Sequence, residues 1–155
     1  MQRQDGGVIL IRLNTAQRLA LNLDSHIVID AGAGTGKTST IVDRVIEHYL
    51  ATDQRATRLL PKPARPSSTG GGMVTAPASE RINLEEWDGL LPGEVVLLTF
   101  TNRAADEMKD RLRSTISRIR PGPLGDDGNH RFDPRVKSQG FVEQLLTLLE
   151  DAPIG

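Results

Sequence analysis

Apolar residues recur at helical spacing over three stretches of this chain, and two short runs, one ahead of each of the first two, are apolar at every position. Residues 13–21 read as a short helix. Asn14 stands where an N-cap belongs, and Gln17, three residues on, is placed to reach back as a capping-box partner. Ile27, Val28 and Ile29 form an apolar run short enough for a buried strand. A glycine-rich turn follows, then a helix over residues 37–50. On it Ile41, Val42, Val45, Ile46 and Tyr49 share one face, while Asp43, Arg44, Glu47 and His48 fall mostly elsewhere. The unit is strand, loop, helix.

Between residues 52 and 79 the texture changes. Pro61, Pro63, Pro66 and Pro77, with Gly70-Gly71-Gly72 and Ser67-Ser68-Thr69, break any regular element. A flexible, solvated insertion is the expectation there. Residues 84–91 read as a short helix around Trp87, closed by Pro92-Gly93. Val95-Val96-Leu97-Leu98 then reads as a parallel strand covered on both faces. Over residues 103–119 Ala105, Met108, Leu112, Ile116 and Ile119 mark the buried stripe of a helix. Residues 121–133 read as a polar loop. A last helix over residues 136–150 is built on Phe141, Val142, Leu145, Leu146 and Leu149. Strands alternating with helices predict an α/β fold with a parallel sheet and flanking helices. Two strands are too few for such a sheet to stand alone, so the fold is expected to be incomplete and the chain a piece of something larger.

Composition sharpens this. Aromatic residues make up 3% of the chain, low for a self-contained domain. The formal net charge of −1 removes a bulk basic field as a basis for nucleic-acid binding, so any such binding must come from a local patch. With no cysteine, disulfides, zinc knuckles and iron–sulfur ligation are excluded. The start, Met1 to Gly7, reads as a native N-terminus. The apolar run at residues 8–11 is too short for a secretory signal, and nothing approaches the ~20 apolar residues of a membrane span. A soluble, cytoplasmic protein without membrane partners is expected.

The glycine turn carries the chemistry. Ala31-Gly32-Ala33-Gly34-Thr35-Gly36-Lys37-Thr38 fits the Walker A pattern G-x-x-x-x-G-K-[ST] at all but its first fixed position, where Ala31 replaces glycine. Glycines let the backbone wrap a phosphate so that successive N–H groups converge on its oxygens, and the helix N-terminus adds its positive end. Lys37 is placed to reach the β- and γ-phosphates, and the Thr38 hydroxyl to ligate Mg²⁺. The competing reading is a flexible glycine turn with an incidental lysine.

Three segments together resemble the UvrD/Rep-type superfamily 1 DNA helicases. Leu13-Asn14-Thr15-Ala16-Gln17 has the spacing of a Q motif, residues 31–38 look like helicase motif I, and Thr99-Phe100-Thr101-Asn102-Arg103-Ala104-Ala105-Asp106-Glu107-Met108 looks like motif Ia. The insertion before motif Ia, the wording Gly34-Thr35-Gly36-Lys37-Thr38, and Ser39 where the UvrD branch often has arginine lean toward the RecB/AddA helicase–nucleases. The resemblance implies the N-terminal part of a first RecA-like domain over residues 1–155, binding ATP and Mg²⁺ and acting on single-stranded DNA in recombination or repair. It also implies that Gln17 reads adenine, beside its purely local role as a cap.

By the same resemblance residues 31–39 cradle the nucleotide, and Thr99, Phe100, Thr101 and Asn102 touch single-stranded DNA. Phe100 has two readings, a base-stacking ring or a plug at a strand end. Arg103, Lys109, Arg111, Arg113, Arg118 and Arg120 read as a solvated face before a DNA track. The family's Walker B pair, γ-phosphate arginine and second RecA-like domain have no counterpart here, so the remainder of a helicase chain is an expected partner. The alternative from another class is a non-catalytic nucleotide- or DNA-binding P-loop module. No Asn-Lys-x-Asp guanine-reading motif is present, which sets aside a GTPase.

Overall fold

The computed structural model describes residues 14–23, 26–30, 32, 36–50, 87 and 89–155. The insertion expected over residues 52–79 lies outside them, as does most of the short helix expected over 84–91; Trp87, Gly89, Leu90 and Leu91 are described and are not helical.

Helix α1 spans Thr15–Ala20 and begins as its sequence prescribes. The Asn14 side chain accepts from the Gln17 backbone N–H at 2.9 Å, and Gln17 Oε1 accepts from the Asn14 N–H at 3.0 Å. Helix α2 spans Lys37–Leu50 and buries Val42, Val45, Ile46, Tyr49 and Leu50. At its far end the chain folds back, with the Leu90 N–H donating to the His48 carbonyl at 2.7 Å. Only glycine fits beside that contact, because a Cβ at Gly89 would run into the Tyr49 carbonyl.

Helix α3, Asn102–Ser117, is capped by the Thr101 hydroxyl, which accepts from the Ala104 N–H at 3.1 Å. Its stripe of Ala105, Met108, Leu112 and Ile116 is buried against α2 and against α4, Gln139–Glu150, which contributes Phe141, Val142, Leu145 and Leu149. Each such aliphatic side chain contributes about 1.5–3 kcal/mol by leaving water. Trp87 packs its ring on Phe141, centroids 4.5 Å apart.

Three expectations are corrected. The helix expected over 103–119 ends at Ser117, and Ile119, though buried in register with Ile116, opens a strand. Where a polar loop was expected, β1 (Ile119–Pro121), β2 (Gly125–Asp126) and β3 (Arg131–Asp133) form a small mixed sheet in the order β1-β3-β2. β1 pairs parallel and β2 antiparallel with β3. Polar composition hid these strands because they are two or three residues long, one pleat at most.

The third concerns the apolar runs. Residues 26–30 are not in a strand, and Val28 is 96% exposed. An extended segment becomes a strand only when a neighbouring backbone takes up its N–H and C=O groups. The segment around Leu97 has such a neighbour in residues 153–155. Leu97 N–H donates to the Pro153 carbonyl at 3.1 Å and Gly155 N–H to the Leu97 carbonyl at 3.0 Å, the slanted pattern of a parallel pair. It is covered on one face: Val95, Leu97 and Ile154 pack on the core, while Val96 and Leu98 are exposed.

A group of charges ties the small sheet to α2. Arg135 donates to Glu47 Oε2 at 2.7 Å and to the fully buried Asp133 at 2.8 Å, and Arg131, also buried, lies 3.4 Å from Glu47.

Candidate nucleotide-binding site

Of the expected phosphate loop the structure describes Gly32, Gly36, Lys37 and Thr38; Ala31, Ala33, Gly34 and Thr35 lie outside the described residues. Gly36 turns the chain into α2 at φ +79°, a left-handed conformation that side chains other than glycine's rarely adopt. Thr40 fastens this turn: its backbone N–H and its hydroxyl both reach the Gly36 carbonyl, at 2.9 and 3.0 Å. Lys37 is the first helical residue and exposed, Thr38 is half-buried, and Ser39 is exposed. The helix therefore presents its unpaired N–H groups, an ammonium and a hydroxyl at one end. That donor set fits a Mg-nucleoside triphosphate.

Gln17 is brought to the same place. A Cβ built on Gly36 would come within 3.1 Å of Gln17 Nε2, so the carboxamide lies against the loop. The capping box and a place beside the loop are thus compatible. Because an N–H from Asn14 holds Oε1, the amide end facing Gly36 is the Nε2 donor.

Sequence reasoning passed over Arg44. Its Nη1 donates to the Ala20 carbonyl at 2.6 Å and to the Asn22 carbonyl at 2.7 Å, joining α2 to the end of α1. Burial lowers its pKa from the usual arginine value. The faint signal was a cation on the otherwise mixed flank of α2, with no glycine cap after α1.

At the second segment, the Thr101 side chain is committed to capping α3, and the Thr99 hydroxyl donates to the Thr101 carbonyl at 2.9 Å. Asn102 is exposed at the first turn. Phe100 is fully exposed, so of its two readings the plug at a strand end is not the one realised. Three of the basic residues of α3 have local partners: Arg111 pairs with Glu107 at 2.9 Å, Arg113 with Asp110 and Glu150, and Lys109 caps the Glu150 carbonyl. Arg118 and Arg120 bond backbone carbonyls. These contacts match a solvated face, on which Arg103 is exposed. Among the described residues no helix is long and apolar enough to cross a membrane.

The family model described as "AAA domain" matches residues 14–147, from the N-cap of α1 into α4. The chain belongs to this family. Membership carries the P-loop class of nucleotide-binding fold, with the loop and helix as described above. The chain is similar to a subunit of an ATP-dependent helicase/nuclease from Pediococcus pentosaceus, at 32% identity over 102 residues. That match covers 65% of this chain and 5% of the relative. No solved structure matches. The resemblance to UvrD/Rep-type helicases, with its lean toward RecB/AddA, is borne out by the two matches together.

Proposed function

We propose that this chain is the ATP-binding segment of an ATP-dependent DNA helicase or translocase, forming the N-terminal part of a first RecA-like domain. One observation carries the reading: the Gln17 amide lies against Gly36, at the head of the helix that presents Lys37 and Thr38. Residues 31–39 would hold the phosphates, Lys37 the β- and γ-phosphates, and Thr38 the Mg²⁺ ion. When bound, Mg²⁺ would neutralise charge on the phosphate oxygens. The residues of this chain bind and orient; Gln17 supplies a donor suited to an acceptor on the adenine edge.

The exposed side chains of Val28, Val96 and Leu98 support an incomplete domain, since apolar surface of this kind is usually covered by neighbouring elements. The relative's name supports a helicase parent; single-stranded DNA as the track, and recombination or repair as the setting, rest on the motif Ia resemblance and on Phe100. Calorimetry of this chain with Mg-ATP and Mg-GTP, beside single-stranded-DNA-stimulated hydrolysis by the longer protein, tests the reading. Adenine preference with DNA-stimulated turnover is expected. Nucleotide binding without any turnover in the longer protein would favour a non-catalytic P-loop module instead.

A second expectation concerns Phe100→Ala. An exposed ring adds nothing to the core, so the melting temperature should not move. Loss of one base stack should weaken binding to a single-stranded oligonucleotide by about 1–3 kcal/mol. A destabilised variant with unchanged oligonucleotide affinity would remove Phe100 from the DNA-contacting set.

A further inference from the structure

We propose that Arg44 is a positioning residue for base recognition: from the phosphate-loop helix it holds the end of α1, and so sets Gln17 against Gly36. This rests on the reading of Gln17 as the base-contacting side chain. The need for such a strut comes from length. With six residues, α1 is far shorter than the ~12–15 residues at which an isolated helix becomes even marginally stable, so its place is set by tertiary ties. The capping box is internal: it joins Asn14 to Gln17 and fixes which end of the amide faces the loop.

A tie to α2 stands at the other end. Ala20 and Asn22 lie where a helix leaves carbonyls without intrahelical donors, and the Arg44 guanidinium reaches both from a single nitrogen, at 2.6 and 2.7 Å. A cation there also meets the negative end of the helix dipole. Arg44 stands about two helical turns beyond Lys37 on the same rigid helix. One helix therefore carries the phosphate-binding lysine at its head and the anchor of the base-reading helix further down. The spacing between phosphate and base contacts is built into α2.

The test is a comparison of two ligands on the whole chain by calorimetry: Mg-ATP, and Mg-tripolyphosphate, which has the phosphates but no base. Arg44→Met keeps the aliphatic stem and removes the donors. It should weaken ATP binding by about tenfold, the scale of a lost charged hydrogen bond, and leave tripolyphosphate within about twofold. Gln17→Ala should collapse the same ratio, and the double variant should be no worse than either single one. Arg44→Lys, which keeps the charge without the planar fork, should fall between, and serves as the test if Arg44→Met does not fold. Equal losses for both ligands would overturn the proposal, showing that Arg44 only supports the fold. So would an intact ratio in the Arg44 variants beside a collapsed one in Gln17→Ala. An intact ratio in Gln17→Ala would instead remove the base-contact reading, and this proposal with it.

Discussion

Replacing Lys37 by alanine is expected to lower affinity for Mg-ATP roughly ten- to hundredfold, the scale of a hydrogen bond to a charged group at about 1.5–3 kcal/mol. Lys37 is the side chain at the head of α2 that can bring a full positive charge to the β- and γ-phosphates; Thr38 and Ser39 beside it are neutral. The loss should be specific to binding. Lys37 is exposed at the first helical position, where a substitution typically changes stability by no more than about 0.5 kcal/mol. Thr38→Ala should act differently, mainly weakening the dependence on Mg²⁺. Calorimetric titration, with a thermal melt of each variant, checks both statements. Unchanged ATP affinity in a folded Lys37→Ala protein would overturn the phosphate-loop assignment.

The largest effect on stability is expected at Asp133. It is fully buried and accepts from Arg135 through Nε at 3.0 Å, Nη2 at 2.8 Å and the backbone N–H at 2.9 Å, with Arg131 at 3.8 Å. Removing its charge leaves two guanidiniums sharing Glu47, with Asp43 the other acid acting on Arg131, and Arg131 already has Nε and Nη1 buried without a partner. Breaking a buried pair from one side costs about 3–5 kcal/mol. For a chain of this size Asp133→Asn should therefore lower the melting temperature by about 10 °C.

The same residue makes the fold acid-sensitive. Burial works to raise the Asp133 pKa, but the Arg135 hydrogen bonds and charge outweigh it and hold the carboxyl below its usual value. A depressed acid contributes stability above its unfolded pKa, near 3.9, and loses it as the pH falls through the native value. Asp43 has the opposite sign: burial, partly opposed by the Arg131 charge, raises its pKa, so its contribution is lost as the pH rises through the native value. Stability followed from pH 6 to pH 2 should fall below about pH 4, and Asp133→Asn should flatten that fall. A melting temperature within a degree of the parent's would show that the cluster is solvated in practice.

What could be read from the sequence is what neighbouring residues settle among themselves. The Asn14–Gln17 box forms because both partners lie within one turn, and α2 occupies residues 37–50 because its periodicity and its glycine entry are local signals. The stripes of α3 and α4 follow from the same spacing, although the last helix starts at Gln139, where Ser138 supplies the cap, and not at Val136. Periodicity reported that Ile119 is buried; it could not report its backbone conformation.

Only the tertiary structure decided which segments pair. Residues 27–29 and the segment around Leu97 look alike in sequence, yet only the second meets a backbone neighbour among the described residues, and even there Val96 and Leu98 face outward. The tie between α2 and the small sheet joins Glu47 to Arg131 and Arg135 across 84 and 88 residues, a separation no local pattern encodes. Arg44 is the same case on a shorter scale: the sequence shows a cation on the flank of a helix, and only packing places it on the carbonyls of Ala20 and Asn22. Caps and stripes are fixed by bonds that close within a turn or two, whereas strand pairing, buried ion pairs and cross-helix struts depend on which distant groups the fold brings together, and it is that arrangement which puts Gln17 beside the phosphate loop.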